Sequence, residues 1–278
     1  MSDQPRITFL GGGNMAGSLI GGMLQHGFDA GQLCVADPNP AQRDALAAKF
    51  SVRVSEDNAD AVAGAGVVVF AVKPQVFQTA AQSVAPLLAD SKPLIISIAA
   101  GIAEPDIRRW LGYDAAIVRS MPNTPALVGC GASALFANRF VTLAQRTLAT
   151  TLLEAVGIAL WLDDEHHMNA VTAVSGSGPA YFFLLMEVME NAARQLQLPP
   201  EIARKLVLQT ALGAARMAAT SEMDAGTLRQ QVTSPGGTTA AALKVLQDGN
   251  LGALFQRALT AARDRGAELS REFGKDIP

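Results

Sequence analysis

Residues 6–16 read Arg-Ile-Thr-Phe-Leu-Gly-Gly-Gly-Asn-Met-Ala, and no other stretch limits the possible folds of this chain so strongly. An apolar strand pattern runs into three glycines and out into a helical pattern. Gly11-Gly12-Gly13-Asn14-Met15-Ala16 fits G-x-G-x-x-A, in which Gly11 permits a tight turn, Gly13 lets a pyrophosphate approach the backbone, and the small Ala16 lets helix and strand pack closely. A glycine-rich turn alone is common. Its place between a strand and a helix makes it a dinucleotide fingerprint.

The first half continues in the same style. Apolar runs at 33–36, 67–72, 94–98 and 116–119 alternate with helical patterns at 40–49 and 76–88, and 135–137 and 158–162 extend the strand series. Such alternation predicts βαβ units on a parallel sheet. After residue 164 the texture changes to long Ala/Leu-rich stretches at 179–197, 200–220, 240–247 and 251–273. Apolar residues recur there at three- and four-residue spacing, with thin polar faces, which suits helices buried in a bundle or across a subunit interface. The expected division is an α/β domain over 1–164 and an all-α domain over 165–278.

Composition excludes several function classes. The formal net charge is −3, which offers no attraction to nucleic acid or an acidic membrane surface. Charged residues make up 17% and aromatics 5%, so the core has to come from Ala, Val, Leu and Ile. Cys34 and Cys130 lie far apart without metal-ligand spacing. Neither a secretory leader pattern nor an apolar run of spanning length is evident, so a soluble cytoplasmic protein is expected. The run Asp163-Asp164-Glu165-His166-His167 looks like a metal cluster, but adjacent histidines on a helix diverge and a solvated helix start is expected; no metal is expected. His26 closes the first helix as a partner for its C-terminal dipole.

Candidate cofactor contacts fall at strand ends. Asp37 follows the second strand, about 20 residues beyond the glycines, where an acid takes the ribose 2′-hydroxyl of NAD; in the alternative reading 37–40 is only a turn and helix cap. Arg43 is placed to meet a 2′-phosphate or to be a solvated helix residue. Lys73 follows the 67–72 run as a cofactor contact or an exposed turn lysine. Ala99, Ala100 and Gly101 leave room for a cofactor ring. Asn123, bracketed by Pro122 and Pro125, sits in a stiffened loop able to hold a carboxamide or a substrate.

A second loop matters as much. Ser-Pro-Gly-Gly-Thr-Thr at 234–239 opens onto an Ala-rich helical stretch, with Thr238 or Thr239 as the expected cap. Free N–H groups and the helix dipole make such a place an anion site. Few acid-base side chains occur anywhere, which suits a hydride acceptor that is already cationic, such as a protonated imine.

Six blocks, GGGNMA, AVKP, SIAAG, MPNTPALV, AVSGSGPAYFF and VTSPGGTTAAALKVLQ, occur in this order over nearly the whole chain. Together they resemble pyrroline-5-carboxylate reductase. The resemblance implies a Rossmann-type parallel-sheet N-terminal domain, an all-α C-terminal dimerisation domain, homodimers assembling into decamers, and hydride transfer from NADPH to the C=N bond of 1-pyrroline-5-carboxylate. By that resemblance Leu10, Gly11, Gly12, Gly13, Asn14, Met15, Asp37, Asn58, Ala71, Val72, Lys73, Pro74, Ala99, Ala100 and Gly101 line the cofactor. Val232, Gly236, Gly237, Thr238 and Thr239 line the substrate, Thr239 steadies the ring nitrogen, and Glu222 is either an electrostatic partner of that nitrogen or a surface carboxylate. Asp37 departs from the small polar residue common in the family, so NADH is admitted as an alternative. The competing readings are another two-domain NAD(P)-dependent dehydrogenase, which lacks its domain-joining lysine here, and a nucleotide-sensing protein without catalysis.

Overall fold

The computed structural model describes residues 4–275. Four parallel apolar strands, β1 (Ile7–Leu10), β2 (Leu33–Ala36), β4 (Val67–Phe70) and β5 (Leu94–Ser97), are buried at every position. Continuous burial of this kind is what a sheet covered on both faces demands. With β3 (Arg53–Ser55), β6 (Ile117–Met121), β7 (Gly131–Ala137) and β8 (Gly157–Leu162) they form one sheet in the order β3-β2-β1-β4-β5-β6-β7-β8. All neighbours pair in parallel except β6 with β7.

Side chains alternate across the pleat. Phe9, Val35, Val69 and Ile96 pack with α1 (Asn14–Gln25), α2 (Pro40–Phe50) and α6 (Leu143–Glu154) on one face. Leu10, Ala36, Phe70 and Ile95 pack with α3 (Asn58–Val62), α4 (Pro74–Ser91) and α5 (Glu104–Leu111) on the other. Phe77 stacks on Phe70 at 4.8 Å between ring centroids and meets Trp110 at 5.9 Å.

The strand order reverses beside β1, where β2 lies on one side and β4 on the other. A crevice at that switch point, outside the carboxyl ends of the strands, is where open α/β sheets bind ligands. β3 and α3 are absent from the sequence reading: a three-residue, half-exposed strand gives too short an apolar signal. β7 and β8 occur where the sequence pattern extends the sheet, but β7 runs antiparallel and begins earlier, at Gly131.

Beyond β8, a 3₁₀ turn (Glu165–His167), α7 (Met168–Val171) and a π turn (Thr172–Gly176) lead to α8 (Gly178–Gln195). Then follow α9 (Pro200–Thr220), α10 (Ala225–Gln231), α11 (Thr238–Asp248) and α12 (Leu251–Phe273). By compactness the described chain forms two units, one of 178–261 and one in which 262–275 joins 4–177. The boundary expected from sequence, after residue 164, falls earlier, at the 3₁₀ turn.

The helical unit has almost no core of its own. Across 178–261 only Gly178, Ala203 and Val207 are buried. Phe182, Phe183, Leu184 and Leu185, four in a row on α8, are each more than half exposed. One expectation needs correcting here. The helical stretch Glu165–Gln195 is long and apolar enough, by length and composition, to cross a membrane. The sequence reading passed over it because glycines and serines at 175–178 interrupt the apolar run, whereas the backbone stays helical through them by way of the π turn.

Candidate active site

The sheet brings the cofactor candidates to one edge. Leu10–Met15, Asp37, Asn58, Ala71–Pro74, Ala99–Gly101 and Asn123 follow the carboxyl ends of β1, β2, β3, β4, β5 and β6 respectively. Gly11 has φ +96° and its N–H donates to Ala36 O at 2.8 Å; a Cβ there would stand 2.7 Å from Ala71 O. Only glycine allows the β1 and β4 ends to approach this closely. A Cβ on Gly13, by contrast, would meet nothing within 4 Å, so the turn is open on its outer side. Gly13 is also the N-cap of α1 and supplies no side-chain cap. An open glycine turn at an uncapped helix N-terminus fits a pyrophosphate.

Two polar side chains, Asp37 and Gln42, fasten this turn to the segment after β2, and a third, Arg43, braces Asp37. The Gly12 N–H donates to Asp37 Oδ2 at 2.8 Å, and the Asn39 N–H to Asp37 Oδ1 at 2.9 Å. Gln42 Nε2 donates to Gly12 O, and Arg43 Nη1 donates to Asp37 O at 2.7 Å. Asp37 is therefore a strut of the turn as well as a ribose candidate, and Asn39 rather than Asp37 caps α2. Sequence reasoning missed Gln42, whose role depends on a contact 30 positions back along the chain.

Lys73 is exposed and is the N-cap of α4, ahead of Pro74 at N1. Gly101 has φ +76° and lies against Phe273 and Leu269 of the C-terminal end of α12. The Asn123 side chain is engaged by protein: Oδ1 accepts from Ala132 N at 2.9 Å and Nδ2 donates to Ser175 O at 3.2 Å. It joins the β6 loop to β7 and to the π turn, a geometry common near functional sites.

In the helical unit the 232–239 loop does what glycines and proline there predict, with one change. Gly236 has φ +70°, Gly237 N–H closes a turn on Ser234 O at 3.0 Å, and Gly237 is itself the N-cap of α11, with no side-chain cap. Thr238 and Thr239 are thus the first helical residues rather than caps. An N-cap serine or threonine would satisfy an N–H of the first turn with its own oxygen. A glycine leaves that N–H for a ligand. Val232 is 60% exposed, and Glu222 is exposed in the turn between α9 and α10.

At the start of the helical segment, Asp164 caps the 3₁₀ turn by accepting from His166 N–H and pairs with His166 Nδ1, both at 2.8 Å. These bonds hold its carboxyl below the usual carboxylate range and raise the imidazole above the ordinary histidine value. His26 ends α1 with Nδ1 2.9 Å from Gly22 O. Glu165 accepts from both Glu104 N–H, at 2.7 Å, and the nearly buried Arg119, at 2.5 Å, tying the turn to α5 and β6.

Two family models match the chain. Residues 165–269 match the family model described as pyrroline-5-carboxylate reductase dimerisation, and residues 6–101 match one described as NADP oxidoreductase, coenzyme F420-dependent. A pyrroline-5-carboxylate reductase of Pseudomonas aeruginosa is 54% identical, over 98% of this chain and 99% of that protein. The chain belongs to the pyrroline-5-carboxylate reductase family. A solved family structure from Coxiella burnetii superimposes with TM-score 0.92 at 45% identity, covering 96% of this chain and 99% of that one. A pyrroline carboxylate reductase structure from Plasmodium falciparum, with NADP bound, gives 0.85 at 27% identity, covering 96% and 99%. Membership in a family with a dimerisation segment explains the coreless helical unit: its apolar surface faces a second copy.

Proposed function

We propose that this protein reduces 1-pyrroline-5-carboxylate to L-proline, the last step of proline synthesis, using a reduced nicotinamide dinucleotide. The observation that carries the reading is the glycine-capped N-terminus of α11, joined in one chain to a glycine turn that fits a pyrophosphate. The dinucleotide supplies a hydride, which adds to the C=N carbon. The first-turn N–H groups of Thr238 and Thr239 hold the substrate carboxylate at the positive end of the helix, while Gly237, whose own N–H is taken by Ser234 O, shapes the turn that leaves them without a side-chain cap. The Thr239 hydroxyl accepts a hydrogen bond from the iminium N–H and stays with the nitrogen as it becomes an amine. Glu222 offsets the cation electrostatically. Hydride and iminium neutralise one another, so no strong acid or base is required, in keeping with the scarcity of histidine.

Along the carboxyl edge, Leu10–Met15, Asn58, Ala71–Pro74, Ala99–Gly101 and Asn123 hold the dinucleotide, Asn123 through its grip on Ala132 and Ser175. The functional division lies at 164/165, where the dimerisation match begins. The homodimers assemble further, to a decamer, in the cytoplasm, a location that free Cys34 and Cys130 suit.

The test is steady-state oxidation of NADPH and NADH with 1-pyrroline-5-carboxylate as acceptor. Turnover with either establishes the reaction. Folded protein with no turnover on either would remove the reductase reading and favour a nucleotide sensor.

A further inference from the structure

Dinucleotide choice is decided where the sheet meets the adenosine ribose. At this place an acid accepts from the 2′-hydroxyl of NADH, whereas NADPH carries there a phosphate with close to two negative charges. Asp37 is held ready for the hydroxyl. Its two oxygens each accept one backbone N–H, Gly12 on Oδ2 and Asn39 on Oδ1, and each keeps an acceptor position for a ribose hydroxyl. The side chain cannot turn aside for a phosphate without giving up both bonds and freeing the glycine turn.

The cation braced against this loop is already engaged. Arg43, with only 16% of its side chain exposed, donates to Asp37 O at 2.7 Å and pairs with Glu56 at 3.3 Å. A phosphate at this corner would face a fixed carboxylate, and the guanidinium braced against it is already committed to Asp37 O and Glu56.

We propose that Asp37 is the residue that sets dinucleotide choice: its clamped carboxylate opposes the 2′-phosphate, so the protein accepts NADH alongside NADPH, and removing the charge turns it toward NADPH. This rests on the dinucleotide side of the reductase reading and not on the identity of the hydride acceptor.

The experiment measures dissociation constants of NADH and NADPH, by nicotinamide fluorescence and by calorimetry, for the native protein, Asp37→Asn and Asp37→Ser. For the native protein the two constants lie within about tenfold of each other. In both variants the NADPH-to-NADH affinity ratio rises by about tenfold or more, Asp37→Asn being the gentler change because its amide oxygen still accepts from Gly12. The proposal is overturned if the native protein binds NADPH more than about a hundredfold tighter than NADH, or if both folded variants keep the native ratio within about twofold. Should the variants unfold, ADP-ribose and its 2′-phosphorylated form are compared on the native protein, where a strong preference for the phosphorylated form overturns it equally. Loss of turnover on 1-pyrroline-5-carboxylate with the nucleotide ratios behaving as expected would sink the reductase reading and leave Asp37 in place.

Discussion

The two units of this chain solve the problem of apolar surface in opposite ways. In the sheet unit, Val67–Phe70 and the other central strands are sealed between two helical layers, where Phe77 stacks on Phe70 and meets a tilted, buried Trp110. In the helical unit, α8 carries Phe182, Phe183, Leu184 and Leu185 side by side around the helix, all exposed. A helix apolar on every side is one that will be surrounded. The first unit therefore carries its stability within one copy. The second stores it as surface and recovers it only on pairing, so its stability is tied to protein concentration.

The contrast can be broken most severely by Phe182→Asp combined with Phe183→Asp. Buried aromatics at an interface are worth about 2 kcal/mol or more each. Sedimentation should show loss of the dimer, and turnover should vanish with it. A dimer of native strength would mean that α8 does not face the second copy. Phe77→Ala tests the other unit: a stacked core phenylalanine replaced by alanine costs about 3–5 kcal/mol. That loss should appear in denaturant unfolding at every protein concentration, while the melting temperature of the native protein rises with concentration.

Thr239→Ala sharpens the comparison by asking whether the coreless unit holds the chemistry. Turnover should fall by about 10²-fold, with circular dichroism and dimer mass unchanged. Equal turnover would take Thr239 out of the mechanism. Leu143→Asp is the counterpart of the α8 pair: Leu143 is 80% exposed on α6 of the sheet unit. Its effect on stability should stay within about 0.5 kcal/mol, with no change in dimer mass.

The smallest expected effect concerns Asp164 and His166. The lowered Asp164 carboxyl stabilises above its unfolded-state value, and this is lost as pH falls through the folded-state value. The raised His166 imidazole stabilises below its unfolded-state value of 6.5, and this is lost as pH rises through the folded-state value. Both act together only in the mildly acidic window between the two groups. In an NMR titration, Asp164→Asn should return the His166 imidazole toward 6.5. An unmoved titration would show that Asp164 is not the cause.

The features legible in the sequence are those with local causes. Gly11, Gly13 and Ala16 announce their turn because only small residues fit it, and the apolar strands announce burial on both faces. The two units were legible as a change from short strands to long helical patterns. What stayed hidden depends on partners distant in sequence. Nothing around Asn123 says that its amide spans Ala132 and Ser175, and nothing around Asp37 says that it holds Gly12. The cap of α11 was misassigned for a subtler reason. Threonine is a good capping residue, but here the glycine before it takes the position and leaves the amides free. The apolar 165–195 stretch was read in pieces because 175–178 look like a break, whereas the helix passes through.

One feature of the chain's end bears on how the molecule is made. α12 starts in the helical unit, and its final turns belong to the sheet unit, where Phe273 and Leu269 lie beside Gly101 and Arg109 donates to Gly274 O at 2.6 Å. Synthesis runs from the N-terminus, and domains generally fold as they emerge. The sheet can form early, but the flank of its β5 loop stays uncovered until the last residues are released. A chain cut short near residue 262 would keep every strand and every glycine of the fingerprint, and still lack the piece that packs against Gly101 after β5.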